Sequence, residues 1–365
     1  MASEMVYPLL PAFVTGTLGG GATILGALDG AAELVSAGLK WITGRLADRP
    51  RWRAPLILGG YAVAVLTRPV IALAGAAWQV VGLRVVDRIG KGLRTAPRDA
   101  LIAAVSPSGV RGRAFGLHRA ADHFGAVVGS LLAWWFLSRG QTAQSVIGWS
   151  VVPGIVAVLI LAVVLRRTPA ASLQPSQPAS TDVPPPLWSA VAALAAITLA
   201  RMPEAVLLLR LQDLGVMVRH IPLVWALLHV IRSTSAYPGG WLSDRLGPRG
   251  TVAVGTGIFA LVTLALARAH TSAAGIAAFL ALGLVAGLSE PAERALVARL
   301  SPHRPGTAFG AYHAITGFAA LPAAVLFGWL YEAHGAPLAL SVSCLATAAA
   351  LCGWIVVAPR AGARA

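Results

Sequence analysis

The chain has 365 residues, 57% of them hydrophobic and only 12% charged, with a mean hydropathy of +0.73. Soluble domains are about a quarter charged and just under half apolar, so this composition lies well outside the soluble class. The formal net charge of +15 at pH 7 would suit nucleic-acid binding, but the placement of the basic residues gives it another meaning.

In chain order, apolar segments fall at about 3–17, 22–43, 54–74, 76–96, 114–138, 145–166, 187–209, 219–239, 251–268, 273–292, 308–330 and 336–358. They are called segments 1 to 12 below. Most are roughly 20 residues long, the length that crosses about 30 Å of hydrocarbon as a helix. The expected fold class is all-α: a polytopic membrane protein with an N-terminal bundle at 1–167 and a C-terminal bundle at 187–365. Residues 168–186, rich in Pro, Ser and Gln, read as a flexible linker. Segment 1 is short: roughly 25 Å of helix precedes the glycines at 16–21, and Pro8 and Pro11 interrupt it. The expectation is twelve helices, or eleven and a half if the first is truncated. Cys344 and Cys352 share one predicted helix about 12 Å apart in rise, too far to bridge.

The arginines alternate between loops. One set holds Arg45, Arg49, Arg51, Arg53, Arg111, Arg113, Arg166, Arg167, Arg245, Arg249, Arg299, Arg304, Arg360 and Arg364, whereas the alternate set holds Arg139, Arg210, Arg219 and Arg268. By the positive-inside rule the Arg-rich side, with the linker and the C-terminus, is expected to be cytoplasmic. The net charge is then a topology signal, and nucleic acid is not an expected partner.

The chain also repeats itself. APRDALIAAVSP (96–107) matches PAERALVARLSP (291–302), AFGLHRAADHFG (114–125) matches AFGAYHAITGFA (308–319), and GRLADR (44–49) matches GWLSDR (240–245). The order is kept at a nearly constant offset. Tandem halves of six helices each, an even number, share one orientation.

Gly44-Arg-Leu-Ala-Asp48-Arg49 and Gly240-Trp-Leu-Ser-Asp244-Arg245-Leu-Gly247 resemble the G-x-x-x-D-R-x-G loop motif of the major facilitator superfamily. They fall between segments 2 and 3 and between 8 and 9, as in that family. SEMVYPLLP, the run 87–102 and RGRAFGLHRA further resemble a bacterial subgroup of uncertain substrate. Physically, Gly44 and Gly240 would let two helices approach closely. Asp48 and Asp244 would accept hydrogen bonds from a helix N-terminus across the two halves, with Arg49 and Arg245 holding the loop. The resemblance implies that this contact latches the cytoplasmic side and opens during alternating access; an ordinary basic loop is the competing reading. Arg51 stands where the first copy of the motif wants its second glycine. Gly125-x-x-x-Gly129 resembles an antiporter signature, but Ser130 replaces its proline and small-residue packing explains it equally well.

Ionisable residues inside spans are costly and mark function by default. In segment 4, Arg84, Asp87, Arg88 and Lys91 recur on one helical face, and in segment 2 so do Asp29, Glu33 and Lys40. The resemblance implies that segment 4 lines a central cavity. Arg84, Arg88 and Lys91 would attract an anionic or zwitterionic small molecule while Asp87, or Asp29 with Glu33, carries a proton. Structural ion pairs are the alternative, preferred for Lys91 and Arg98. Arg201 and Glu204, three apart on segment 7, can pair with each other and read as candidate cavity residues. Glu290 and Glu293 read as gate residues, and His118, His123, His229 and Arg232 as packing groups or proton sites. Segment 10 is bland opposite the segment 4 charges, so polar chemistry is expected to concentrate in the first half.

No nucleotide-binding loop, metal-ligand motif or nucleophile elbow occurs in the sequence, which argues against an enzyme. The expected function is secondary transport of a small molecule across the bacterial inner membrane by a monomer. It would be driven by a proton gradient without a cofactor and could run as export. The competing reading is a transport-inactive sensor or scaffold of the same fold.

Overall fold

A computed structural model describes residues 2–6, 22–167, 184–217 and 220–358. The described elements are helical, with no strand among them. They are α1 (Ala2–Val6), α2 (Ala22–Ala47), α3 (Pro50–Ala72), α4 (Ala77–Val105), α5 (Arg111–Ser138), α6 (Ala143–Trp149), α7 (Val151–Arg167), α8 (Pro185–Ala200) and α9 (Glu204–Asp213). Then follow α10 (Ile221–Leu246), α11 (Pro248–Arg268), α12 (Ser272–Leu280), α13 (Leu282–Leu300), α14 (Pro305–His334) and α15 (Ala336–Val357). Segments 2 to 12 therefore all form helices. Beyond α1, segment 1 lies outside the described residues, as do linker positions 168–183 and the side chains of Glu4 and Asp29.

Seven described helical stretches are long and apolar enough to cross a membrane. Their outer faces are apolar: Leu159, Ile160 and Val163 on α7, Trp134 on α5 and Val356 on α15 are all exposed. Such faces are at ease only in hydrocarbon, where helices bond all their own backbone groups.

Three segments are broken where the sequence reading drew them straight. Segment 6 divides at Ser150 and segment 10 at Ala281. Segment 7 divides at Arg201–Pro203, because Pro203 has no N–H and disfavours helix in the residue before it. The polar groups freed at that break are recovered by α15. The Met202 N–H donates to Ser343 Oγ at 3.0 Å, and the Ser343 and Thr347 hydroxyls donate to the Ala200 carbonyl at 3.0 and 3.3 Å.

By its own contacts the chain forms two compact units. The first comprises Met1–Val105, Phe124–Thr181 and Pro302–Ala314; the second comprises Ser106–His123, Asp182–Ser301 and Ile315–Ala365. The first unit thus holds the opening turns of α14, from the second sequence half, and the second unit those of α5, from the first.

In the first unit α4 packs on α2 and α3. A β-carbon on Gly60 would collide with the Gly90 carbonyl, and Thr43 Oγ1 donates to the Gly92 carbonyl at 2.9 Å. A core of Met5, Ile71, Val80 and Ile147 joins α1, α3, α4 and α6. In the second unit α13 packs on α10 and α11. Leu207, Leu228, Phe259, Phe279 and Phe327 form its core. Gly239 and Gly287 touch backbone to backbone, the small-residue contact that replaces hydrophobic drive in lipid.

Candidate functional site

Two helix-end contacts are built from the repeated loop motif. In the first unit, Asp48 follows the last turn of α2 and caps the N-terminus of α14. Its carboxylate accepts from the Thr307 N–H at 3.1 Å, from the Thr307 hydroxyl and from Arg304 Nε at 3.2 Å. In the second unit, Asp244 near the end of α10 caps α5. It accepts from the Gly112 and Arg113 N–H groups at 2.8 and 3.0 Å and is also approached by Arg299 at 3.6 Å. Four free N–H groups and the positive end of the helix dipole make such an end a natural carboxylate partner. Close approach needs glycine. A β-carbon on Gly44 would strike the Gly306 carbonyl and Gly310, and one on Gly240 would strike the Gly112 carbonyl.

The loop arginines behave differently from the expectation. Arg49 is exposed, and Arg245 lies over the Trp241 ring at 4.3 Å. The residues that tie the loops are Arg53, whose Nε donates to the Ala47 carbonyl at 2.8 Å, and Arg249, which donates to the Ile355 carbonyl of α15. They stand at equivalent places in the two copies, a signal that was readable from the repeat. The missing glycine is also explained. Gly247 has φ +84° between α10 and α11, whereas α3 starts earlier, at Pro50, so Arg51 is already helical.

Charges on α2 and α4 are mostly paired inside the first unit. Arg84 and Asp87, 4% and 7% exposed, form a 3.0 Å ion pair. Glu33 lies between Lys40 at 3.2 Å and Lys91 at 3.8 Å. Arg88 is half-buried beside them, and Asp29 is placed on α2 with its side chain outside the described set. Sequence reasoning missed Asp99, which is fully buried and held by Arg98 at 3.0 Å and by His313 Nε2 of α14 at 2.7 Å.

The described cavity lies in the second unit, beside the break between α8 and α9. Its volume is about 450 Å³, and Arg201, Glu204, Phe259, Ser289, Glu290 and Glu293 contribute to its wall. That size falls in the range of roughly 300–1,000 Å³ typical of small-molecule sites. Arg201 and Glu204 do not pair with each other, because the break ends the helical spacing that would bring them together. Arg201 instead reaches Glu293 at 4.0 Å and Thr256 at 3.1 Å and lies over the Phe259 ring. Glu204 is bonded by Arg232 of α10. Glu290 is engaged by Arg119 of α5 and by Arg294 at 3.6 Å. The expectation that polar chemistry concentrates in the first half is therefore corrected. The second half supplies three cavity carboxylates, and each has a partner from outside its own helix. The cavity wall carries one cation, Arg201, and three carboxylates, so it offers partners to both an anionic and a cationic group. Half-helix ends at such a break are typical of membrane transport sites.

Among the described residues no cluster of His, Cys, Asp and Glu could hold a metal ion. The sequence profile of the Major Facilitator Superfamily matches residues 1–231 and 205–365. An uncharacterized MFS-type transporter of Methanocaldococcus jannaschii is 28% identical over 341 residues, covering 91% of this chain and 85% of that protein. Among solved structures, the human organic anion transporter MFSD10 matches 97% of this chain and 95% of its own, with a TM-score of 0.78 at 15% identity. The Escherichia coli fucose:proton symporter FucP matches 98% and 95%, with a TM-score of 0.75 at 14% identity. The repeated loop motif, the helical fold and these matches agree: this chain is a transporter, not an enzyme, and belongs to the major facilitator superfamily.

Proposed function

We propose that this protein is a secondary transporter that moves a small zwitterionic or anionic molecule by alternating access, coupled to a proton gradient and needing no cofactor. The observation that carries this reading is the cavity at the α8–α9 break, where Arg201 and Glu293 face each other across 4.0 Å. A guanidinium beside a carboxylate can exchange its internal partner for the carboxylate of a ligand, and the freed glutamate then meets the ligand's cationic group. Differential affinity of that kind is what lets a substrate bias one conformation over another.

In this reading the protein sits in the bacterial inner membrane with the Arg-rich loops, the linker and the C-terminus in the cytoplasm. The Asp48 and Asp244 caps then act as the cytoplasmic latch, made in one state and broken in the other. The fucose:proton symporter named above supports proton coupling by fold only.

The test is a thermal-shift screen of the purified protein against amino acids, dicarboxylates and sugar phosphates. Any stabilising compound is then offered to proteoliposomes with and without an imposed pH gradient. Gradient-dependent uptake that falls at least tenfold in Arg201→Gln and Glu293→Gln is expected. Uptake indifferent to the gradient would remove the coupling, and uptake indifferent to both substitutions would remove the cavity assignment.

A further inference from the structure

His123 on α5 and His229 on α10 lie together in the second unit, 6% and 8% exposed, with their Nδ1 atoms 3.2 Å apart. The other ring nitrogen of His123, Nε2, is 3.3 Å from the Arg119 guanidinium. Chemistry fixes the direction of each bond. A guanidinium only donates, so His123 Nε2 accepts and the ring proton of His123 sits on Nδ1. That N–H donates to His229 Nδ1, which places the His229 proton on Nε2. His229 Nε2 is buried without a hydrogen-bond partner, on a ring packed edge-on against Trp225.

Both lone pairs of this pair are therefore already in use. From this geometry we propose that His123 and His229 are the proton-accepting pair of the transporter, and that proton uptake there has to break a contact made by α5. The proposal rests on the proton-coupled reading above and names the group that takes the proton. A proton delivered from water forms a new N–H bond with one of two lone pairs. On His229 Nδ1 it displaces the His123 bond that joins α5 to α10. On His123 Nε2 it displaces Arg119. No third lone pair exists on the two rings.

The surroundings turn that local event outward. Arg119 and Asp122 from α5, Arg232 from α10 and Glu290 from α13 are the charged groups around the pair. Arg119 bonds Asp122 at 2.7 Å and also Glu290, and Arg232 bonds Glu204. With Arg294 on Glu290, three arginines face the three carboxylates Asp122, Glu290 and Glu204, so an added proton leaves the cluster with a net positive charge. Glu290 and Glu204 both line the cavity, each one ion pair away from the histidines. Around the same crossing Ser233 Oγ donates to the Ala120 carbonyl at 2.8 Å, and a β-carbon on Gly116 would collide with the Ala236 carbonyl. The helices thus stay in close contact within one to two turns of the place where the proton would land. The other buried histidine contact behaves in the opposite way. His313 faces the Asp99 carboxylate, and a fully protonated ring still donates to it from Nε2, so proton uptake leaves that bond in place.

The experiment uses protein in lipid nanodiscs with ¹⁵N-labelled histidine. The two signals are assigned by their loss in His123→Gln and His229→Gln; if one variant fails to fold, the other assigns both, since the rings are bonded and shift together. At neutral pH the expected pattern is a neutral Nδ1–H ring at 123 and a neutral Nε2–H ring at 229. On acidification one ring is expected to become doubly protonated. Spin labels at Leu117→Cys and Leu227→Cys, both lipid-exposed positions, in a Cys344→Ser, Cys352→Ser background should then show a longer α5–α10 separation. Reversed tautomers, two rings that stay neutral throughout the pH range of the folded protein, or protonation at unchanged separation would each overturn the proposal. Neither readout uses a transported molecule. A negative result here therefore leaves the transport reading standing, while gradient-insensitive uptake counts against that reading alone.

Discussion

The two repeats place comparable contacts at comparable positions, yet they do not use the same chemistry. At the loop ends both use a carboxylate that caps a helix N-terminus between glycines: Asp48 on α14, and Asp244 on α5. Deeper along the same helices they diverge. Asp99 of α4 meets His313 of α14, whereas the repeat-equivalent positions are Arg294 of α13 and Arg119 of α5, both on Glu290. Backbone capping tolerates little variation because the partner is a fixed set of N–H groups. Side-chain pairs inside a span need only cancel charge, so drift from histidine to arginine is permitted if an acid moves with it. The second unit has no titratable group at that position, and its histidines lie one turn further along α5, at 123, and on α10, at 229.

The comparison can be broken most strongly at Glu290. Replacing it with Gln removes the carboxylate that Arg119 and Arg294 share, while Arg119 keeps Asp122, and loss of one partner of a largely buried pair costs about 3 kcal/mol. Glu290→Gln is therefore expected to give the largest fall in thermal stability in detergent. Asp99→Asn should cost less, about 2 kcal/mol, because an amide at 99 can still accept from His313 Nε2 and from Arg98. A double-mutant cycle with His313→Gln should recover part of that loss, and strict additivity would show the pair to be uncoupled.

At the loop ends the expected costs are smaller. Asp244→Ala should lose about 2 kcal/mol and Asp48→Ala about 1, following cap energetics. The order comes from Asp244 accepting two backbone N–H groups against one for Asp48. Equal losses would mean that Arg304 and the Thr307 hydroxyl make up the difference.

The smallest effects lie in the loop itself. Gly247→Ala should destabilise by about 1 kcal/mol because φ is +84° there. Restoring the motif with Arg51→Gly should destabilise by a similar or smaller amount, because that position is helical in this protein. A gain in stability from Arg51→Gly would show that the first loop is strained toward the motif.

Legibility differed by the kind of feature. The broken seventh segment carried its signal in Pro203, but Arg201 and Glu204 sat at a helical spacing that allowed them to pair with each other. Arg53 and Arg249 were legible from the repeat but were overlooked in favour of the motif's own arginines. His313 with Asp99, and Glu290 with Arg119, had no local signal. Their partners lie more than a hundred residues apart, on helices whose rotation about their own axes the sequence does not state.

What the sequence determined by itself is what is local and additive: membrane class from hydropathy, the spans from their length, the tandem halves from internal matches, and the family from a loop motif seen twice. The tertiary structure alone decided which ionisable groups meet, and that the described cavity opens beside the α8–α9 break rather than along α4. The reason is physical. Apolar length alone puts a helix in the bilayer, whereas an ion pair needs two side chains within about 4 Å, a condition set by how distant helices cross and where one of them breaks.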